Sequence, residues 1–202
     1  MKNLKLNLKN LALIAVVVSA LFAVSCNKDD DFLPQESVSM EEVDLKAGKA
    51  VSPGEYSIVD IALGNPAFDT LVAALLYVDA ELDAGLVNLL SGTDQYTVFA
   101  PTDAAFGRLY AALGVDDITE VPAETVLAVL QYHVTEGRRA ANSVVPKVNT
   151  RTIETALGVP FSVDQWLKIW AVGNTANIIA ANISASNGII HVIDEVILPI
   201  EL

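Results

Sequence analysis

The chain has 202 residues, of which 52% are hydrophobic and only 18% are charged, and this balance excludes disorder over most of its length. Its formal net charge of −13 repels nucleic acid and gives no polybasic attraction to anionic lipids. We therefore expect one folded domain with a tail, a sizeable hydrophobic core, and no nucleic-acid partner.

The N-terminal residues 1–25 have the pattern of a secretory signal peptide. Lysines precede an apolar run from Leu11 to Val24, which is too short for an ordinary membrane span. The run ends before Cys26, and the small residues in front of this cysteine resemble a bacterial lipobox. The pattern predicts that Cys26 becomes a lipidated N-terminus. The alternative is a different cleavage that discards Cys26.

Residues 26–54 are predicted to be the lipidated cysteine and a flexible tether, because their composition is polar and no periodicity is sustained. The acidic run Asn27–Asp31 resembles a signal that sends some bacterial lipoproteins to the outer face of the outer membrane. A solvated charge run is the alternative interpretation. We expect a lipid-anchored protein of the cell envelope, in the outer membrane, with exposure at the cell surface left open.

The folded domain is predicted over residues 55–202, beginning with helices. By pattern alone, Ser57–Ala62 fits either a helix or a strand. Apolar residues then recur three to four positions apart, which predicts one face of a helix: Phe68, Leu71, Val72, Leu75 and Val78. A second short helix is predicted over Ala84–Leu90.

The stretch Tyr96–Phe106, YTVFAPTDAAF, predicts a switch from strand to helix. Its first residues are β-prone, and Thr102 and Asp103 are residue types that cap the start of a helix. We expect this helix to cover Asp103–Leu113 and to be closed by Gly114. Asp103 is interpreted as a hydrogen-bond acceptor at a helix start.

The C-terminal half reads as a sheet. A last long helix begins at Pro122 and ends near Tyr132. Apolar segments then alternate with Gly, Pro, Asn and Asp, and each predicts a strand: Val144-Val145, Arg151–Ala156, Val159–Val163, Leu167–Val172, Ile178–Ile183 and Ile189–Ile197. Helices segregated from a run of strands define an α+β domain.

The stretch Asn187–Pro199, NGIIHVIDEVILP, is the second notable segment. The Asn187-Gly188 pair predicts a tight turn with Gly188 at positive φ. The Ile- and Val-rich run after it predicts a strand that is buried on both faces, with Asp194 as a hydrogen-bond partner at its end.

These two segments, with LQYHV at Leu130–Val134 between them, resemble the signatures of the fasciclin domain. The resemblance extends from Ser57 to Pro199 and keeps the order of all three motifs. It implies N-terminal helices packed on a wedge of two β-sheets, and it favours a helix at Ser57–Ala62. It also implies a binding or adhesion module without enzymatic activity, hence no catalytic residues.

The resemblance supplies the candidate binding residues. Tyr132 and His133 match a Tyr-His pair that is implicated in cell-surface receptor binding in some animal members, although a core role is the alternative. Asn182 and Ile183 stand where those members have an Asp-Ile pair. Because an amide is a poorer ligand than a carboxylate for a divalent cation, metal-bridged binding is disfavoured.

No motif for metal binding, a cofactor or catalysis is found in the sequence. His133 and His191 do not have the spacing of a metal site, and we expect His191 to be a buried ring bonded to the backbone. Accordingly, no metal and no cofactor are predicted.

Trp166, Trp170 and Tyr96 are candidates for a sugar-stacking platform. Their spacing places both tryptophans on one side of a strand, and we expect at least one of them to fill the sheet core. The sequence therefore predicts an extracytoplasmic module, anchored to a membrane by its N-terminal lipid, that attaches to a cell surface or matrix through protein contacts. The alternative is an envelope lipoprotein that binds a glycan or small ligand.

Overall fold

The computed structural model describes residues 52–201. The helices are α1 Ile58–Leu63, α2 Asp69–Leu82, α3 Leu86–Ser91, α4 Asp103–Leu113, α5 Ala123–Tyr132 and α6 Ala141–Val144. The strands are β1 Tyr96–Pro101, β2 Val134–Glu136, β3 Thr150–Ile153, β4 Phe161–Asp164, β5 Lys168–Trp170, β6 Thr175–Ala185 and β7 Gly188–Ile193.

The helix starts follow the capping residues. Ser57 and Asp60 form a capping box in which each side chain accepts a hydrogen bond from the other residue's backbone N–H, so α1 is a helix as expected. Thr102 caps α4 by accepting from the Ala105 N–H, and Gly114 ends the helix at φ 71°. The predicted bounds of α4 are therefore confirmed.

Asp103 is a helix-start acceptor, but for a different helix. Its Oδ1 accepts a hydrogen bond from the Thr70 N–H at 2.8 Å, in the first turn of α2. Because the first N–H groups of a helix have no partner within the helix, this carboxylate joins the starts of α2 and α4.

The seven strands form a sheet in the order β2-β1-β7-β6-β5-β4-β3. The two signature segments are adjacent, since β1 pairs in parallel with β7 and Val98 lies opposite Ile190. The long strand β6 joins two halves. Its first residues pair with β5 and its later residues pair with β7, with register shifts between Ile178 and Ile183.

We call β2, β1, β7 and the later part of β6 the signature half, and β3, β4, β5 and the first part of β6 the outer half. Helices pack on one face of the signature half, where Val98, Ile190 and Val192 belong to a helical core. Its other face meets the outer half in a sheet core that contains Phe99 and Ile193. The predicted α+β fold, helices on a wedge of sheet, is confirmed.

The signature strand β7 is buried along its whole length, as expected, but its turn differs from the prediction. The turn residues are Ser186 and Asn187. Gly188 is the first residue of β7, and its φ is not positive. Glycine is needed there for space, because a Cβ on Gly188 would lie 2.0 Å from the Tyr96 carbonyl oxygen.

The side chain of Asn187 is buried and joins this turn to the helices. Its Oδ1 accepts from the Ile58 N–H at 2.9 Å, and its Nδ2 donates to the Leu90 carbonyl at 2.7 Å. One amide thus satisfies a donor at the start of α1 and an acceptor near the end of α3.

The predicted strand at Val144-Val145 is wrong, since Val144 ends the short helix α6. Two adjacent apolar residues carry no period that separates a strand from a helix. A long-range contact favours the helix here, because the Ala141 N–H at its start donates to Asn182 Oδ1 at 2.7 Å.

Residues 52–54, at the end of the predicted tether, contact the domain. The Gly54 N–H donates to the Ala185 carbonyl at 3.2 Å, and Arg138 donates to the Ser52 carbonyl at 3.1 Å. The chain therefore enters the domain beside the turn between β6 and β7.

Candidate functional site

Tyr132 lies at the end of α5 with its ring fully buried in the sheet core. Its hydroxyl donates to the Pro160 carbonyl and accepts from the Val172 N–H, both at 3.3 Å. The ring also packs edge-on against Phe161, with centroids 5.8 Å apart. The alternative of a core role is confirmed for Tyr132, and direct contact with a partner stays a prediction.

His133 is also buried and joins α5 to the C-terminal segment. Its Nδ1 lies 2.7 Å from the Val129 carbonyl, and its Nε2 accepts from the Ile197 N–H at 3.1 Å. These partners fix the neutral tautomer with the proton on Nδ1. Burial lowers the pKa of His133 to about 4, so the ring is uncharged at neutral pH.

Asn182 and Ile183 lie in the irregular part of β6, and both are half-buried. Asn182 has φ 65°, a left-handed conformation that asparagine tolerates better than most residues. Ile183 packs against the helical core, whereas Tyr132 lies in the sheet core. The four candidates therefore do not form one continuous surface.

His191 occupies the buried position that the sequence predicts. Its Nε2 lies 2.9 Å from the Arg139 carbonyl, and its Nδ1 accepts from the Asn182 N–H at 3.4 Å. Burial lowers the pKa of His191 to about 4. Asp194 likewise has its expected role, accepting from the Asn177 backbone and side-chain amides.

The two tryptophans lie at the surface, so the expectation that at least one fills the core is wrong. Trp166 is 75% exposed and Trp170 is 48% exposed. Trp166 lies in the turn between β4 and β5 rather than in a strand. Leu167, in the same turn, has a left-handed conformation with φ 69°. Tyr96 lies in β1 against the helical core and is not part of this surface.

Asp164 accepts hydrogen bonds from both tryptophans and so fixes their relative position. Its Oδ1 accepts from the Trp166 N–H at 2.9 Å and from the Lys168 N–H at 3.0 Å. Its Oδ2 accepts from the Trp170 indole N–H at 3.2 Å. Burial alone would raise the pKa of Asp164, but these hydrogen bonds outweigh burial and hold it below its ordinary value.

The outer half presents polar side chains around Trp170. Register places Trp170 between Ser162 on β4 and Thr175 on β6, and facing residues of neighbouring strands point to the same side. Lys168 lies opposite Asn177, and its Nζ is 4.5 Å from the centre of the Trp170 ring. We call this surface the tryptophan face: Ser162, Trp166, Lys168, Trp170, Thr175 and Asn177.

The tryptophans of this face are candidates from the sequence alone, but its polar members were not predicted. A signal was present, because Phe161, Val163 and Ile169 are apolar at alternate positions and Ser162 and Lys168 are the polar residues between or beside them. That alternation assigns the polar positions to the outer side of the sheet.

The described part of the chain gives no sign of metal chemistry. No group of three or more His, Cys, Asp and Glu side chains within residues 52–201 is placed to hold a metal ion. Over the same residues, none of the helices is both long and apolar enough to cross a bilayer. Cys26, the predicted lipidation site, lies outside the described residues.

The fold and surface define an α+β domain with two exposed tryptophans on one face. The family model for the fasciclin domain matches residues 66–199, and the chain belongs to this family. It is 35% identical over 175 residues to protein sll1483 of Synechocystis sp., covering 83% of this chain and 89% of that protein.

Two further proteins extend the comparison. The chain is 32% identical over 155 residues to the cell surface glycolipoprotein MPB83 of Mycobacterium bovis, covering 76% of this chain and 63% of that protein. A solved FAS1 domain pair from the insect cell adhesion molecule fasciclin I matches with a TM-score of 0.47 and 16% identity, over 64% of this chain and 45% of that chain.

Proposed function

We propose that this protein is a membrane-tethered, extracytoplasmic binding module that attaches to a cell surface or matrix through protein contacts and has no chemistry of its own. Membership of the fasciclin family and the likeness to a cell surface glycolipoprotein support this proposal. Lipidated Cys26 would anchor it in the outer membrane, and residues 26–54 would be the tether.

The observation that carries the proposal is the pair of exposed indoles on the tryptophan face. Single exposed apolar residues are ordinary at a protein surface, but Trp166 and Trp170 both bond to Asp164 and so lie close together. Tryptophan is also enriched among the residues that dominate protein interfaces. Trp170 is also held by Asp164, so little side-chain entropy remains to be lost when a partner binds.

The four residues that the family pattern suggests have a supporting part in this proposal. The Tyr132 hydroxyl bonds to the Val172 N–H two residues after Trp170, and Val172 is itself 49% exposed. His133 fixes the C-terminal segment through Ile197. Asn182 and Ile183 are half-buried, and their exposed parts would add a second contact on β6.

Glycan binding is a second candidate, favoured by the polar residues of the same face. Ser162, Trp170 and Thr175 lie in register across three strands, so hydroxyl groups flank an exposed ring. This combination of a flat aromatic surface with hydrogen-bonding groups suits an uncharged sugar better than an apolar protein patch.

The experiment measures attachment of the purified domain to whole cells and matrix proteins, and in parallel to a glycan array. We expect Trp166→Ala and Trp170→Ala to weaken attachment at least tenfold. The matched controls are Leu63→Ala and Leu76→Ala, because these side chains are 62% and 54% exposed on helices away from the face. Equal attachment by all four variants would exclude this face.

The array separates the two candidates. Saturable binding to a glycan that is lost in Trp170→Ala would favour the second candidate over the first. Binding to protein-coated surfaces that survives deglycosylation of the target would favour the first.

The tether has its own test. We expect Cys26→Ser to move the full-length protein from the membrane fraction to the soluble fraction, because an acyl anchor adds about 0.8 kcal/mol for each buried methylene. A Cys26→Ser protein that remains in membranes would place the anchor elsewhere. Protease treatment of intact cells would then show whether the domain is accessible from outside.

A further inference from the structure

The helical side of the domain contains an apolar cavity of about 320 Å³, which the proposed function does not use. It opens to the surface and is lined by α2, α4, the connection between α4 and α5, α5 itself and the segment after β7. We call it the helical cavity. Its walls include Ala74, Phe106, Leu109, Val126, Val129 and Leu198. We propose that the helical cavity binds one uncharged hydrocarbon chain of a single-chain lipid.

The size of the cavity selects a small ligand. An apolar cavity of roughly 150 Å³ already binds a single aromatic ring, and small-molecule pockets begin at about 300 Å³. A cavity of about 320 Å³ is thus large enough for a short chain and too small for a helix of another protein. This is why the occupant is a lipid chain rather than a protein segment.

The apolar walls of the cavity are formed by residues from several helices. Phe106 on α4 and Val126 on α5 are buried, and both belong to the helical core. Ala74 on α2 is completely buried, and its small side chain leaves room that a larger residue would fill. A hydrocarbon chain would replace void with van der Waals contacts on several sides.

The residues at the mouth of the cavity favour an uncharged ligand over an anionic one. Leu113 and Ile200 are 38% and 57% exposed there, so the apolar surface continues to the opening. Glu120 also lines the cavity, and its Oε1 accepts from the Asp116 and Asp117 N–H groups at 2.9 and 3.2 Å. The Glu120 carboxylate repels an anionic head group.

No basic side chain is found among the described residues that line the cavity. A fatty acid would therefore bring its carboxylate toward negative charge without a cation to pair with it. An uncharged chain, such as an alcohol, avoids this repulsion. The negative charge at the mouth of the cavity therefore favours the proposed uncharged ligand over the commoner anionic lipids.

The experiment titrates the purified full-length protein with 1-dodecanol and with dodecanoate, and measures the heat of binding and the melting temperature. We expect saturable binding of dodecanol, and binding of dodecanoate at least tenfold weaker. Val129→Phe fills the cavity from a half-buried position, and we expect it to weaken dodecanol binding at least tenfold. Leu63→Phe adds the same ring outside the cavity and should bind as the parent does.

A second variant keeps the test decisive if Val129→Phe does not fold. Thr125→Trp changes an exposed residue at the mouth and should also block entry. Absence of saturable dodecanol binding would overturn the proposal. So would equal affinity in a folded Val129→Phe or Thr125→Trp variant, or dodecanoate binding as tight as that of dodecanol.

Discussion

The two halves of the sheet differ in what covers them. The signature half is covered on one face by helices and on the other by the outer half, so every residue of β7 is buried. The outer half is covered on one face only, and its other face carries Trp166 and Trp170. In this domain, the motifs that identify the family therefore describe packing, and the exposed tryptophan face lies where no motif is found.

The largest effect of a single substitution is expected in the signature half, at Gly188. A Cβ there would lie 2.0 Å from the Tyr96 carbonyl oxygen and 2.7 Å from Ile58 Cδ1, so β1 and β7 would have to separate. We expect Gly188→Ala to lower the free energy of unfolding by about 2–4 kcal/mol. Urea unfolding measures this change.

The control for this prediction is Gly107→Ala. Gly107 lies within α4 with no atom within 4 Å of an added Cβ, and alanine is the better helix former. We expect this control to raise stability by about 0.5–1 kcal/mol. A cost below 1 kcal/mol for Gly188→Ala would show that the strands are less closely packed than the structure indicates.

The next effect depends on pH and concerns the two buried histidines. Burial lowers the pKa of His133 and of His191 to about 4, whereas an unfolded histidine titrates near 6.5. The unfolded chain therefore binds protons first, and stability is lost as the pH falls from about 6.5 to 4. We expect a loss of roughly 2–3 kcal/mol for each ring at pH 4.

Urea unfolding at pH 7, 5.5 and 4.5 checks this prediction. His133→Gln and His191→Gln should each flatten the pH dependence, although they remove hydrogen bonds as well. Asp60 and Asp164 have lowered pKa values in the folded protein. The stability that they contribute is therefore lost mainly below the range in which the histidines titrate. Constant stability of the parent protein from pH 7 to 4.5 would contradict the burial of both rings.

A smaller effect is expected in the outer half, at Asp164. Asparagine keeps one oxygen for the Trp166 and Lys168 N–H groups but cannot accept from the Trp170 indole N–H. We expect Asp164→Asn to cost about 1–2 kcal/mol. It should also weaken attachment through the tryptophan face, because Trp170 is no longer held.

The attachment assay and urea unfolding test both parts of this prediction. Asp60→Asn is a suitable control, since it also alters a carboxylate that accepts local hydrogen bonds, but at the start of α1. If Asp164→Asn loses stability yet attaches normally, then attachment does not depend on the hydrogen bond that holds the Trp170 ring.

Most of the signature half was predictable, because its elements are determined by local chemistry. Thr102 and Gly114 bound α4 through caps that are visible in the sequence. The burial of β7 follows from its Ile- and Val-rich sequence, in which His191 is the one polar residue. The pairing of the two signatures came from the family resemblance rather than from any local pattern.

The outer half and its surface were less predictable, because long-range contacts decide them. Val144 is helical where α6 begins with a bond to Asn182, about forty residues away along the chain. Trp166 is exposed in the turn between β4 and β5, where Leu167 takes a left-handed conformation that its residue type does not favour. The same holds for one residue of the first signature segment: Asp103 bonds to α2 rather than to its own helix, and no local rule selects that partner.

The smallest effect tests whether the two regions are linked, and it concerns the Tyr132 hydroxyl. This group contacts the Pro160 carbonyl and the Val172 N–H at 3.3 Å, so Tyr132→Phe leaves both without this partner. Because the bonds are long, we expect a cost of only about 0.5–1.5 kcal/mol. Attachment should fall further than this stability change explains, since Val172 follows Trp170 closely.

Tyr77→Phe is the matched control, because its hydroxyl also bonds to a backbone carbonyl, that of Val121 at 3.1 Å, on the helical side. We expect a similar loss of stability in urea unfolding and normal attachment for this control. If Tyr132→Phe attaches as well as Tyr77→Phe does, then Tyr132 stabilises only the core. If it attaches more weakly at equal stability, then the buried tyrosine of the family motif acts on the partner through the turn that it holds.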